Sequence, residues 1–112
     1  MATLIRSVVS TFRDQFIQIR RHIHAHPELS HDEFQTSEFV AKILEEAGIS
    51  VTRGIAKTGL LAVLGQARAK RTIVFRCDLD ALRVGETTGL PYASTREGTM
   101  HACGHDVHTA IA

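Results

Sequence analysis

The continuous apolar run Thr72-Ile73-Val74-Phe75 limits the possible folds of this chain more than any other feature. Apolar runs without polar alternation are typical of a central strand that is buried on both faces, and such a strand needs helices to cover it. Asp78 and Asp80 follow at the end of the strand, where open α/β sheets bind ligands. Alternatively, one of them caps a turn while Arg76 pairs with the other. The run predicts an α/β fold in which a central sheet carries helices on both faces.

The start of the chain predicts a long amphipathic helix. Apolar residues recur at alternating spacings of four and three between residues 5 and 23, which places them along one side of a helix. This helix should end near His26, because Pro27 disfavours helical geometry in the residue before it. His22 and His26 could chelate a metal ion from the last turn. The simpler interpretation is that they interact with the negative end of the helix dipole.

The next segments predict a second helix and two paired strands. Ser30 and Glu33 have the spacing of a capping box, so the second helix should begin after them. Gly48 suits the left-handed position that closes a helix. The apolar period then becomes strand-like over residues 49–55 and again over residues 60–64, with a turn between them.

Composition and charge limit the classes of function. The 112 residues are 44% hydrophobic and 22% charged, as is ordinary for one globular domain. Thirteen basic and twelve acidic side chains leave a net charge of +1, which predicts binding neither to nucleic acid nor to a membrane. A basic loop at residues 65–71 lacks an aromatic residue, so we interpret it as a solvated connection. With only Cys77 and Cys103, and no apolar export segment in residues 1–12, we expect a cytoplasmic protein.

Residues 100–112 form the part of the chain that is richest in metal-ligand side chains. If the segment before Asp106 is extended, His101, Cys103 and His105 point to the same side. A thiolate and two imidazoles suit zinc or a similar borderline-soft cation. The clustering favours Cys103 and His105 as ligands, but is too weak to include His101.

The end of the chain also predicts a third helix. Asp106 can cap a helix that begins at Val107. His108 lies one helical turn after His105, so it could be a metal ligand or a hydrogen-bond partner of a ligand.

Four motifs, in this order, resemble those of one known family. They are Arg21-His22-Ile23-His24-Ala25-His26-Pro27-Glu28-Leu29, Phe75-Arg76-Cys77-Asp78-Leu79-Asp80-Ala81-Leu82, Thr88-Gly89-Leu90-Pro91-Tyr92 and Met100-His101-Ala102-Cys103-Gly104-His105-Asp106. The family is the dinuclear metal amidohydrolases, which include hippurate hydrolase, N-acyl-amino-acid amidohydrolases and auxin-conjugate hydrolases, and are related to carboxypeptidase G and aminoacylase. The resemblance covers nearly the whole chain.

The resemblance implies a fold and a set of site residues. Residues 1–112 would form the N-terminal portion of a zinc-peptidase-like catalytic domain, with two helices followed by a central sheet. Cys103 and His105 would bind one or both of two divalent metal ions, which could be Zn, Mn, Co or Ni. Asp80 would orient this site through hydrogen bonds, with Asp78 close by. The resemblance assigns no chemical role to the His-Pro-Glu-Leu segment, residues 26–29.

The resemblance also implies an activity. Such enzymes hydrolyse the amide bond of small N-acyl amino acids, such as hippurate, with a metal-activated water, and act as monomers or homodimers. The family's paired glutamates, which include the general base, have no counterpart in the sequence up to Ala112. We therefore expect an inactive fragment that lacks the rest of the catalytic domain and the dimerisation domain. Arg83 also stands where the family often has proline.

Two other interpretations of the metal-ligand cluster remain open. The chain could be a small structural zinc domain, in which Cys103 and His105 complete a closed tetrahedral site with His101 and His108. Alternatively, Cys103 could be a nucleophile with His105 as its base.

Overall fold

The computed structural model describes residues 1–65 and 70–112, so residues 66–69 of the predicted basic loop lie outside the described part. The described part contains three helices and two strands. In chain order they are α1 (Ala2–Ala25), α2 (Phe34–Glu46), β1 (Ser50–Ile55), β2 (Gly59–Val63) and α3 (His105–Ile111).

Helix α1 ends where the sequence predicts. Its last residue is Ala25, and His26 caps it because the His26 ring Nδ1 lies 2.8 Å from the His22 carbonyl oxygen and can donate to it. The two imidazole rings lie 4.6 Å apart, and the His22 ring stacks on Phe39 at 4.0 Å. Burial, and to a lesser extent the charge of His26, lowers the pKa of His22. These two histidines close the helix and pack it against α2.

The capping box predicted at the start of α2 is not formed, so that prediction is wrong. The residue before the helix is Glu33, and its side chain makes no capping hydrogen bond. The buried carboxylate of Glu28 takes that place: it accepts hydrogen bonds from the backbone N–H groups of Gln35 at 3.3 Å and Thr36 at 2.7 Å. The Thr36 hydroxyl donates to it as well, at 2.8 Å. A carboxylate before the helix satisfies free donors and suits the positive end of the dipole.

The end of α2 confirms the role predicted for Gly48. This glycine has φ 79°, in the left-handed region that glycine enters without a Cβ clash. Its N–H donates to the Glu45 carbonyl at 2.9 Å, and the Ile49 N–H donates to the Leu44 carbonyl at 2.9 Å. This pair of hydrogen bonds satisfies two carbonyls at the end of the helix and turns the chain towards β1.

The two predicted strands are also confirmed. They pair antiparallel, with Ser50 opposite Val63 at one end of the hairpin. The guanidinium of Arg53 on β1 forms ion pairs with Glu38 and Glu45 of α2, which holds the hairpin against that helix. On the turn between the strands, the Thr58 hydroxyl donates at 2.7 Å to the buried carboxylate of the residue before α2, Glu33.

The run at residues 72–75 does not form the buried strand that we predicted. Ile73, Val74 and Phe75 are 83%, 79% and 85% exposed, and none of them belongs to a sheet. A strand needs neighbours to accept and donate its backbone hydrogen bonds. Apart from two single bridges, the described residues pair only in the β1–β2 hairpin, so this run has no neighbouring strand.

Buried side chains lie on the end of α1, on α2, on α3 and on the segments between them. Among the described residues, the buried apolar ones are Ile23 at the end of α1, Pro27 just after it, Ala41 on α2, Ala81 before α3, and Ala110 on α3. The first half of α1 contributes little to this core, since its apolar stripe from residue 4 to residue 16 is exposed to solvent. No described helix is both long enough and apolar enough to cross a membrane.

Candidate metal centre

Two short bridges bring the carboxylate-rich and histidine-rich segments together. Leu82 and Met100 exchange two backbone hydrogen bonds of 3.0 Å, and Ala81 pairs with Leu29. The Ala81 N–H donates to the Glu28 carbonyl at 2.7 Å. Residues distant in sequence are thereby fixed next to each other, just before α3 begins.

Asp80 and His105 meet at this junction. The ring Nδ1 of His105 lies 2.9 Å from the Asp80 carboxylate Oδ1 and 2.9 Å from the Asp80 backbone oxygen. Both partners are acceptors, so we assign the ring proton to Nδ1. The ring nitrogen Nε2 is then free to bind a metal, and the His105 side chain is 17% exposed. A carboxylate that holds one nitrogen of a metal-binding histidine is a common arrangement.

Asp78 is used differently from Asp80. Its carboxylate accepts a hydrogen bond from Arg76 at 2.5 Å, and its backbone oxygen accepts one from the Thr109 hydroxyl of α3 at 3.2 Å. The sequence left open whether an arginine pairs with one of the two carboxylates. In the structure Arg76 pairs with Asp78, which leaves Asp80 to contact the histidine.

The segment before α3 is not extended. The prediction that His101, Cys103 and His105 point to the same side is therefore wrong. Gly104 has φ 87°, and its left-handed conformation starts the helix at His105 instead of Val107. His101 is buried, with 4% exposure, whereas the Cys103 thiol is exposed and free. The turn thus separates these two side chains, while the exposed Cys103 stays two residues before the half-buried His105.

These residues fit part of a metal site. A thiolate and an imidazole Nε2 are donors that Zn and neighbouring transition metals accept. The described ranges contain no group of three or more His, Cys, Asp or Glu side chains arranged to hold a metal ion. A closed four-ligand zinc site is therefore not formed there: His101 is buried with no partner at either ring nitrogen, and the His108 ring lies 6.2 Å from the His105 ring.

A buried ionic cluster lies directly behind His105. Asp106, which we predicted as a helix cap, is instead 0% exposed and makes no capping hydrogen bond. Its Oδ2 lies 2.8 Å from the His24 ring Nδ1 and 2.8 Å from Arg20 Nε, both on α1. The prediction was wrong because Arg20 and His24, which lie far from Asp106 in the sequence, contact this carboxylate.

Glu86 extends the cluster on the other side of the His24 ring. Its Oε1 lies 3.2 Å from His24 Nε2, and its Oε2 accepts from the Ser94 N–H at 2.6 Å. Burial raises the pKa of the Glu86 carboxyl, but hydrogen bonds from Thr88, Ser94 and His24 outweigh this effect and lower the pKa to about 2. Both ring nitrogens of His24 thus face carboxylates.

This cluster was not predicted from the sequence. Arg20 and His24 are four residues apart and share a face of α1, which was a usable signal. His22, His24 and His26 alternate along the same turn, however, and periodicity alone does not tell which of them points inward.

Sequence comparison supports the resemblance. Residues 74–112 match the sequence profile of peptidase family M20/M25/M40. The N-acetyl-L-cysteine deacetylase of Bacillus subtilis (strain 168) is 50% identical over 102 residues, which cover 91% of this chain and 24% of that protein. The chain belongs to the M20/M25/M40 peptidase family. The hippurate hydrolase of Campylobacter jejuni is 47% identical to this M20 chain over 95 residues, 85% of this chain and 25% of that enzyme.

Structural comparison agrees. The crystal structure of a dinuclear metal-binding peptidase of the M20 family from Bacillus subtilis superposes on this chain with a TM-score of 0.84 and 43% identity, covering 90% of this chain and 28% of that one. The family and the α/β class predicted from sequence are therefore confirmed. The M20 chain spans about a quarter of the length of the curated relatives named here.

Proposed function

We propose that this M20 chain forms the N-terminal portion of the catalytic domain of a metal-dependent amidohydrolase. Its substrates would be small N-acyl amino acids of the hippurate type. The observation that carries the proposal is the hydrogen bond from His105 to Asp80, which leaves His105 Nε2 free two residues from the exposed Cys103 thiol. The names of two relatives, N-acetyl-L-cysteine deacetylase and hippurate hydrolase, support the substrate class.

Cys103 and His105 would hold metal in this proposal. The relative described as a dinuclear metal-binding peptidase supports two divalent ions, for which Zn, Mn, Co and Ni are candidates. When bound, such ions polarise the amide carbonyl and lower the pKa of a water molecule. Asp80 keeps the proton on His105 Nδ1, fixes the ring and makes Nε2 a stronger donor.

The described residues supply no general base for this chemistry. Of the carboxylates near His105, Asp80 is bound to the His105 ring and Asp78 to Arg76. Asp106 is buried in its contacts with α1. A base must reach the water that it deprotonates, and none of these groups is free to do so. We accordingly expect the 112-residue chain to be inactive alone.

We also propose the partners, the location and the oligomeric state of the whole enzyme. A net charge of +1 favours a small-molecule substrate over nucleic acid or a membrane surface. The two cysteines, Cys77 and Cys103, are free in the structure, which is consistent with the reducing cytoplasm. A monomer or a homodimer is the oligomeric state that we propose for the whole enzyme.

The proposal is tested with a chimera in which this chain replaces the matching segment of the Bacillus subtilis deacetylase. With added zinc or manganese, the chimera should release amino acid from hippurate or N-acetylcysteine, while its His105→Ala variant and the isolated 112-residue chain should not. A dipeptide with a free amino terminus is the control substrate. If a folded, metal-loaded chimera cleaves only that dipeptide, the proposed substrate class is wrong.

A further inference from the structure

We infer that Arg20, His24 and Asp106 form a clamp between α1 and α3 that positions His105 for metal binding. We call these three residues the α1–α3 clamp. The inference rests on the proposed function, because it presumes that His105 binds metal. The clamp residues touch no reacting group, so their role is positioning and not catalysis.

The geometry of the clamp points to this role. Asp106 follows His105 directly in the first turn of α3 and is 0% exposed. Its Oδ2 is hydrogen-bonded to His24 Nδ1 at 2.8 Å and forms an ion pair with Arg20 Nε at 2.8 Å, without hydrogen-bond geometry. Successive residues of a helix project about 100° apart, as follows from 3.6 residues per turn. Fixing the Asp106 side chain therefore fixes the direction in which His105 leaves the helix.

Helix α3 needs such a restraint. It has seven residues and no side-chain cap, and isolated helices shorter than about 12 residues are marginal in water. Two other side chains of α3 hydrogen-bond to neighbouring segments among the described residues. His105 bonds to Asp80, and Thr109 bonds to Asp78. The contacts with α1 come from a long helix, so they anchor α3 to a rigid part of the molecule.

The ionic character of the clamp supports positioning over simple stability. Burying a carboxylate is costly, and apolar side chains of similar size often stabilise a fold equally well. The hydrogen bond between His24 Nδ1 and Asp106 Oδ2, by contrast, favours one orientation of the carboxylate. Glu86 also holds the far side of the His24 ring at 3.2 Å, so the imidazole itself is fixed from both sides.

The test uses the 112-residue chain and three clamp variants: Asp106→Asn, His24→Gln and the milder Arg20→Gln at a side chain that is 28% exposed. Glu33→Gln is the matched control, because it also alters a buried carboxylate, one that binds Thr58 away from the metal residues. His105→Ala sets the baseline. For each, cobalt binding is titrated by absorbance, the His105 ring is observed by ¹H–¹⁵N NMR without metal, and thermal unfolding is recorded.

Asp106→Asn and His24→Gln should weaken cobalt binding about 10- to 100-fold and shift or broaden the His105 ring signals, as loss of a group that orients a metal ligand does. Arg20→Gln should have a smaller effect in the same direction. Glu33→Gln should lower the melting temperature but leave cobalt affinity and the His105 signals unchanged. If Asp106→Asn does not fold, the other two clamp variants decide.

Two contrary results are distinguishable. If folded clamp variants bind cobalt like the unmodified chain while His105→Ala does not, the clamp is structural only and the inference is wrong. If His105→Ala binds cobalt as tightly as the unmodified chain, the proposed metal site itself is wrong. Equal weakening by Glu33→Gln and by the clamp variants would also overturn the inference, since it would trace the effect to lost stability.

Discussion

Replacing Glu28 should destabilise the chain more than replacing any exposed carboxylate. Its side chain is 3% exposed and accepts three hydrogen bonds at the start of α2, from the Gln35 N–H, the Thr36 N–H and the Thr36 hydroxyl. Arg96 adds a long ion pair at 3.7 Å. Glu28→Ala would leave the donors of Thr36, a residue with 4% exposure, without a partner.

The expected loss can be estimated from these contacts. Removing a helix cap costs about 1 kcal/mol, and a buried donor left unsatisfied costs about 1–3 kcal/mol. Since the contacts share one carboxylate they do not add fully, so Glu28→Ala should cost about 2–3 kcal/mol. For a domain of about 100 residues each kcal/mol corresponds to about 4–8 °C in melting temperature, so the midpoint should fall by about 10–20 °C.

The assay is thermal and urea unfolding followed by circular dichroism. Thr36→Val removes only the hydroxyl contact and should cost about 1 kcal/mol, as for one hydrogen bond. In the double variant the two losses should not add, because the hydroxyl bond is lost in both single variants. A loss below about 0.5 kcal/mol for Glu28→Ala, the level of ordinary surface substitutions, would refute this account of how α2 begins.

Two further predictions concern Glu86 and the exposed apolar surface. Because the pKa of Glu86 is lowered from 4.5 to about 2, its stabilising contribution should be complete above pH 4.5 and be lost as the pH falls from 4.5 towards 2. Melting temperatures between pH 2 and pH 6 should show a shallower decline in Glu86→Gln, and an unchanged slope would contradict this. Ile73, Val74 and Phe75, exposed at 79–85%, should make the chain bind an apolar fluorescent dye. A folded monomer that binds no dye would contradict that expectation.

Periodicity and turn chemistry predicted the elements whose partners lie nearby in sequence. The apolar spacing of α1, the stop at Pro27, the glycine after α2 and the β1–β2 hairpin all depend on residues within a few turns of one another. Such elements are specified by local rules of helix amphipathicity, capping and strand alternation.

The features that were predicted wrongly depend on contacts between residues far apart in the sequence. Ser30 and Glu33 had the spacing of a capping box, but Glu28 reaches the same donors and is better buried. The sequence of the run at 72–75 suits a buried strand, yet whether it pairs depends on strands elsewhere in the chain. Asp106 was assigned a local role as a cap because its partners on α1 lie more than 80 positions away, with His24 at a separation of 82 residues.

In the candidate site, too, local sequence patterns predicted some features, whereas long-range contacts became visible only in the structure. Clustering in sequence predicted Cys103 and His105 as metal ligands, and the resemblance predicted Asp80 as the carboxylate that orients the site. The structure adds the contact that joins Asp80 to His105 across 25 positions. It also adds the contacts of Asp106 with Arg20 and His24; the spacing of these two residues places them on one face of α1 but does not reveal Asp106 as their partner.

Metal content in the chimera tests the central claim most directly, because it separates the two cysteines of this chain. Elemental analysis after dialysis should find that Cys103→Ala and His105→Ala lose bound metal, since each removes a donor that no described neighbour replaces. Asp80→Asn should lower metal affinity by roughly 10- to 100-fold and leave measurable occupancy. Cys77→Ala, at a half-buried thiol outside the site, should retain full metal. Full metal in Cys103→Ala together with loss of metal in Cys77→Ala would contradict the account.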